Sequence, residues 1–214
     1  MNRPASTLIA LSILAFGPLP ASAGVIIGAT SVSSPQGDFG GDFPLVNIIN
    51  QSGLSAGYTS GVTDFATYTA AATHEGLVGT GFTNTESAGP QQFTFDLGSV
   101  QSIDAIAIWN TASVGAITRF EVFYDSDSDF GNGTSGTLVA ASALGAAGPA
   151  QVFGFASTAT RYVHFNGLAT LQSPDFYGLG EVVFSAAAAV PEPGTLALLG
   201  LGLAGLAAAR RRRR

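Results

Sequence analysis

The sequence predicts an all-β fold, an antiparallel β-sandwich, with a signal helix before it and a transmembrane helix after it. Three observations carry that expectation. Apolar and polar residues alternate in short runs between Gln91 and Phe184, each run bounded by Gly, Asn or Asp. No stretch of that body shows an amphipathic helix of useful length. Both ends of the chain are apolar segments of a different design.

The first end is Met1 to Ala23. One early cation, Arg3, precedes an apolar run from Leu8 to Leu19, and Ala21-Ser22-Ala23 stands before Gly24. This is the layout of a secretory signal peptide cleaved after Ala23. A first core helix is the competing reading, but Pro18 and Pro20 would break it.

The body, 24–184, begins with a Gly-, Ser-, Thr- and Ala-rich stretch to about Pro90 that has few periodic runs. Leu45 to Asn50 fits one helical turn or a strand. Gln92 to Leu97 alternates, with Phe93, Phe95 and Leu97 on one face. Ile103 to Trp109 is almost continuously apolar, as a central strand would be. Ile117 to Tyr124 turns Phe120, Val122 and Tyr124 inward and Arg119 and Glu121 outward. Leu138 to Ser142 and Gln151 to Phe155 are weaker strands, Arg161 to Asn166 alternates again, and Gly180 to Phe184 closes the body. Ser185 to Ala189 reads as a linker.

Charge is distributed unevenly. All eight cations are arginines, and between Gly24 and Val190 only Arg119 and Arg161 oppose thirteen of the fourteen Asp and Glu residues. So acidic a body repels nucleic acid and anionic lipid and attracts divalent cations. The chain has no cysteine, which excludes disulfides, thiol catalysis and thiolate metal sites.

The far end, 190–214, has three parts. Val190, Pro191, Glu192 and Pro193 form an extended segment that cannot continue a helix upward. Thr195 to Ala209 is an apolar helix that would cover roughly 22 Å, short of the ~30 Å hydrocarbon core. Arg210, Arg211, Arg212, Arg213 and Arg214 then act as a stop-transfer cluster held on the cytoplasmic side. Nucleic-acid binding is the other reading of five arginines, and their place directly after an apolar helix argues against it. An exposed stretch, a marginal anchor and a stop look like a processing site.

These three parts resemble the PEP-CTERM sorting signal. The resemblance implies that an exosortase, reached through the secretion machinery, recognises the motif and removes the helix. The protein would then be membrane-anchored transiently and end in the cell envelope or outside the cell, in producers of extracellular polysaccharide. An ordinary single-pass anchor is the alternative.

Several body segments resemble the discoidin-type, galactose-binding-like jelly roll. They are Phe93-Thr94-Phe95-Asp96-Leu97-Gly98, Ile103-Asp104-Ala105-Ile106, Phe120 to Tyr124, Arg161-Tyr162-Val163 and Gly180-Glu181-Val182. The early tryptophan-bearing segment of that family is missing, and the only Trp is Trp109. The resemblance implies a structural Ca2+ between an early loop and the glutamate of the last strand, which here points to Glu181 with Asn50 and Ser52. A solvent-facing Glu181 is the plainer alternative.

Asp125, Asp127 and Asp129 suggest a calcium loop, but an EF-hand needs Gly and Glu where Phe130 and Gly136 stand. A hairpin turn with Gly131-Asn132-Gly133 at positive φ is the simpler reading. His164 alternates with Tyr162 and Asn166 opposite Val163 and Phe165, a trio suited either to a sugar or to an ordinary outward sheet face. His74-Glu75 fails the HExxH pattern at Val78. No nucleophile, phosphate-loop or dinucleotide motif is present. The expected function is therefore that of a non-catalytic exported protein binding extracellular polysaccharide through sandwich loops. A structural matrix protein without ligand and a polysaccharide-acting enzyme remain the alternatives.

Overall fold

The computed structural model describes residues 24–38, 41–75, 82–83, 90–111, 115–131, 134–139, 148–171 and 176–186. All of them lie within one compact unit, Ala23–Ala189. The expected signal peptide and the 190–214 tail fall outside the described residues. Among the described residues no helix is long and apolar enough to cross a membrane.

The described residues form eight strands in chain order: β1 (Val25–Ile27), β2 (Ser31–Ser33), β3 (Phe82–Thr83), β4 (Gln91–Asn110), β5 (Ile117–Asp125), β6 (Thr134–Val139), β7 (Gln151–Thr170) and β8 (Gly178–Ala186). They pair antiparallel in the order β1-β8-β4-β7-β5-β6, with β2 added to β4 and β3 to β8. The all-β, antiparallel expectation stands.

Two strands depart from it in length. Gln92–Leu97 and Ile103–Trp109 are one strand, β4, and Gln151–Phe155 and Arg161–Asn166 are joined in β7. The intervening residues, Gly98 to Ser102 in β4 and Ala156 to Thr160 in β7, make a bend and not a turn. The register between β4 and β7 slips between Asp96 and Gln101. Gly98 there has φ +81, and its N–H donates to Asp96 Oδ1 at 2.8 Å.

Each long strand thereby serves two layers. The first layer holds β2, the start of β4, the end of β7, β5 and β6; the second holds β1, β3, β8 and the other halves of β4 and β7. Aromatic rings meet between the layers: Phe95 with Phe184 at 5.6 Å, Phe120 with Phe153 at 5.2 Å and Tyr124 with Phe155 at 5.0 Å. Phe93, Phe95, Phe120, Phe165, Ile106, Ile108, Val182 and Phe184 fill this core and are buried.

The continuous apolar run in β4 has a second explanation. Ala105, Ala107 and Trp109 face away from that core, into a smaller cluster with Ile26, Phe65, Tyr68 and Val183. A short helix, α1 (Phe65–Ala71), forms its outer cover. Sequence reading missed α1 because seven residues give too little periodicity. Its start is nevertheless marked: Asp64 caps it by accepting from the Thr67 N–H at 2.8 Å. Leu45–Ile48 forms a single 3-10 turn. The last strand extends through Ser185 and Ala186, two residues of the expected linker.

Candidate functional site

Two polar arrangements stand out, one on each layer. On the second, Glu181 sits in β8 opposite Trp109 and is fully buried. Gly180 lets His74 press against the strand, since a Cβ there would lie 2.9 Å from the imidazole. Glu181 Oε2 accepts from the Gln51 backbone N–H at 3.0 Å, and Oε1 from the Tyr58 hydroxyl at 3.1 Å. Gln51, at φ +68, also bonds the Tyr58 backbone through both side-chain amide atoms, at 2.8 and 3.2 Å. Trp109 Nε1 donates to the Ala72 carbonyl at 2.9 Å and so anchors the adjoining segment.

Burial pushes the Glu181 carboxyl up to about 8, against the pull of its two donors. Burial and the neighbouring Glu181 push both tyrosines up, Tyr68 to about 12.

The structure brings Glu181 to the Asn50–Ser52 loop, as the resemblance implied, but not through the oxygens expected. Asn50 Oδ1 accepts from the Ser52 N–H at 2.9 Å, while Asn50 Nδ2 donates to Asn47. Hydrogens of Gln51 and Tyr58 face the carboxylate where a calcium ion would need lone pairs. The residues present satisfy Glu181 without a cation and do not fit a calcium ion there. Sequence reading missed Gln51 and Tyr58 as its partners, because nothing local links position 58 to position 181.

On the first layer, β5 leads into the Asp125 loop, which lies beside the end of β7. Asp125 Oδ1 accepts from the N–H groups of Ser126 and Asp127 at 2.6 and 3.2 Å. Asp127 Oδ1 accepts from Asp129 and Asp129 Oδ1 from Gly131, at 2.8 and 3.1 Å. The three aspartates thus build the turn through their own backbone, and Gly131 does not adopt positive φ as expected.

His164, expected on an outward face, is 0% exposed. The loop folds back over it, and the Phe130 ring lies edge-on at 5.1 Å. That cover leaves His164 no surface to offer a sugar, whereas Tyr162 and Asn166 on either side are half-buried. Thr94 Oγ1 is 2.9 Å from His164 Nδ1. Burial pulls the imidazole below its usual value, opposed by Asp125, Asp127 and Asp129. Arg161 grips Asp96 through two bonds of 2.9 and 3.0 Å, and its guanidinium stands over the Tyr162 ring at 5.0 Å. Among the described residues no three His, Asp or Glu side chains converge as a metal-binding group.

A two-layered sandwich of this topology is the fold of the discoidin-like, galactose-binding carbohydrate-binding modules of family 32. Solved structures with it include a mutant of chitosan-binding module 1 from a chitosanase/glucanase of Paenibacillus sp. IK-5, at 15% identity and TM-score 0.54, covering 76% of this chain and 99% of that one. The family 32 module of C. perfringens NanJ, in complex with galactose, is similar at 15% identity and TM-score 0.52, covering 75% and 98%. A truncated AlyQ carrying such a module and an alginate lyase domain is similar at 17% identity and TM-score 0.53, covering 78% of this chain and 34% of that one.

The tail gives the second, more specific assignment: residues 189–214 match the PEP-CTERM protein-sorting motif. That motif indicates export with a membrane-anchored sorting signal. No curated protein matches the chain.

Proposed function

We propose that this chain is an exported, non-catalytic carbohydrate-binding protein that an exosortase releases from its anchor so that it joins extracellular polysaccharide. One observation supports this best: a fold shared with carbohydrate-binding modules and a PEP-CTERM motif occur in the same chain. The neighbours with this fold include ones named for chitosan, galactose and an unsaturated mannuronic acid, and the acidic body of this chain favours the neutral and amino sugars as the first ligands to try. Tyr162 and Asn166 supply the half-exposed polar surface on the first layer, and Arg161 fixes the Tyr162 ring in place.

Screening the purified chain against a glycan array that includes chitosan oligomers and galactosides tests the proposal. Binding is expected, and Tyr162→Ala should weaken it at least about tenfold, in keeping with aromatic anchors at binding sites. Silence across the array would move the protein to the structural-matrix reading. New reducing ends released from polysaccharide would make it an enzyme instead.

A further inference from the structure

We propose that Glu181, Gln51 and Tyr58 form a hydrogen-bonded clasp that does the work the resemblance assigns to calcium, fastening the 50–58 loop to β8 without a metal. Calcium needs about six to eight oxygen ligands with lone pairs turned toward it. The loop turns hydrogens toward Glu181 instead. The Gln51 N–H donates to Oε2 at 3.0 Å and the Tyr58 hydroxyl to Oε1 at 3.1 Å. A cation placed there would meet two donors.

The oxygens of the loop are engaged elsewhere. Asn50 Oδ1 accepts from the Ser52 N–H at 2.9 Å, and the Gln51 carbonyl from the Leu54 N–H at 3.3 Å. The Gly53 carbonyl accepts from the Glu75 N–H at 2.9 Å, and the Ala56 carbonyl from the Tyr68 hydroxyl. Admitting a calcium ion would therefore mean rebuilding the loop, and not merely filling a gap in it.

The two donors behave as one unit. Gln51 Oε1 accepts from the Tyr58 N–H at 2.8 Å while Nε2 donates to the Tyr58 carbonyl at 3.2 Å, which closes residues 51 to 58 into a ring. Gln51 has φ +68, the only positive φ outside glycine among the described residues, and such a conformation persists only where its surroundings enforce it. The Tyr58 ring meets Tyr68 of α1 edge-on at 5.6 Å, and Tyr68 meets Trp109 of β4 at 6.0 Å. Ser55 and Thr73 bond each other twice, at 2.8 and 2.9 Å. Loss of one donor should loosen the whole loop, and calcium should not restore it. Carboxylate-rich polymers that compete for calcium would leave a loop fastened in this way unchanged.

Amide hydrogen exchange over residues 50–58 of the purified full-length chain, in excess Ca2+ and in excess chelator, tests the proposal. Protection should be equal in the two conditions. Tyr58→Phe keeps the ring but removes its hydroxyl, and should speed exchange across the loop at least about tenfold, as expected when a buried acceptor loses its donor. Added Ca2+ should leave that faster exchange as it is. Calcium that slows exchange of the parent loop at least about tenfold would overturn the proposal, whether or not the variant folds. So would a Tyr58→Phe loop that exchanges like the parent, or one that calcium returns to parent behaviour.

Discussion

Glu181 has no route to solvent, and burial pushes its carboxyl from the usual 4.5 up to about 8. The folded state therefore prefers the neutral acid. Its stabilising contribution is complete below pH about 4.5 and is lost as pH rises through about 8. His164 has the opposite sense: its value is lowered, so stability falls as pH drops below about 6.5. Between pH 6.5 and 8, unfolding free energy should fall by roughly 2 kcal/mol, and Glu181→Gln should flatten that slope. Denaturant unfolding at several pH values measures both. Calcium and chelator should give equal melting temperatures in the Glu181→Gln variant and in the parent, since two hydrogen-bond donors already occupy the carboxylate. The sequence pointed to Glu181, His164 and Asp125 one at a time. It did not disclose that β5 and β7 bring the last two together, because a partner 39 positions away leaves no local trace.

Strands were legible where their faces alternate, as in Phe120, Val122 and Tyr124, all buried as expected. They were misread where a bend resembles a turn. In β4, Gly98-Ser99-Val100-Gln101-Ser102 has the composition of a loop but keeps the chain within the sheet while redirecting it. Gly98 is required by its φ of +81, and a Cβ would come within 2.9 Å of Thr30 Cγ2. Gly98→Ala should cost about 1 to 3 kcal/mol, the range for forced backbone strain, read as a lower denaturant midpoint. Phe120, stacked on Phe165 at 4.6 Å and touching Phe153 across the layers, reports on the core. Phe120→Ala should cost about 3 to 5 kcal/mol by the same measurement. Helix α1 and the strands before Pro90 escaped notice because they are short and owe their shape to what they cover.

The whole chain joins two instructions of different length, a compact sandwich and a short address at 189–214. The address was readable because its information is linear: two prolines, an apolar run and a basic end. Replacing Pro191-Glu192-Pro193 with alanines should leave the full-length protein in the membrane fraction, as judged by mass spectrometry of the C-terminus. Normal trimming would show that the machinery reads something else. The sandwich was readable only in outline, since its layers depend on pairings between distant strands.

The close of β8 bears on how such a protein withstands tension. Ala186 pairs with Val25 on one side and Ile103 on the other, so the point where the tether leaves is stitched to two neighbours. Hydrogen bonds on both sides of its last residue should keep the closing strand from fraying at that end.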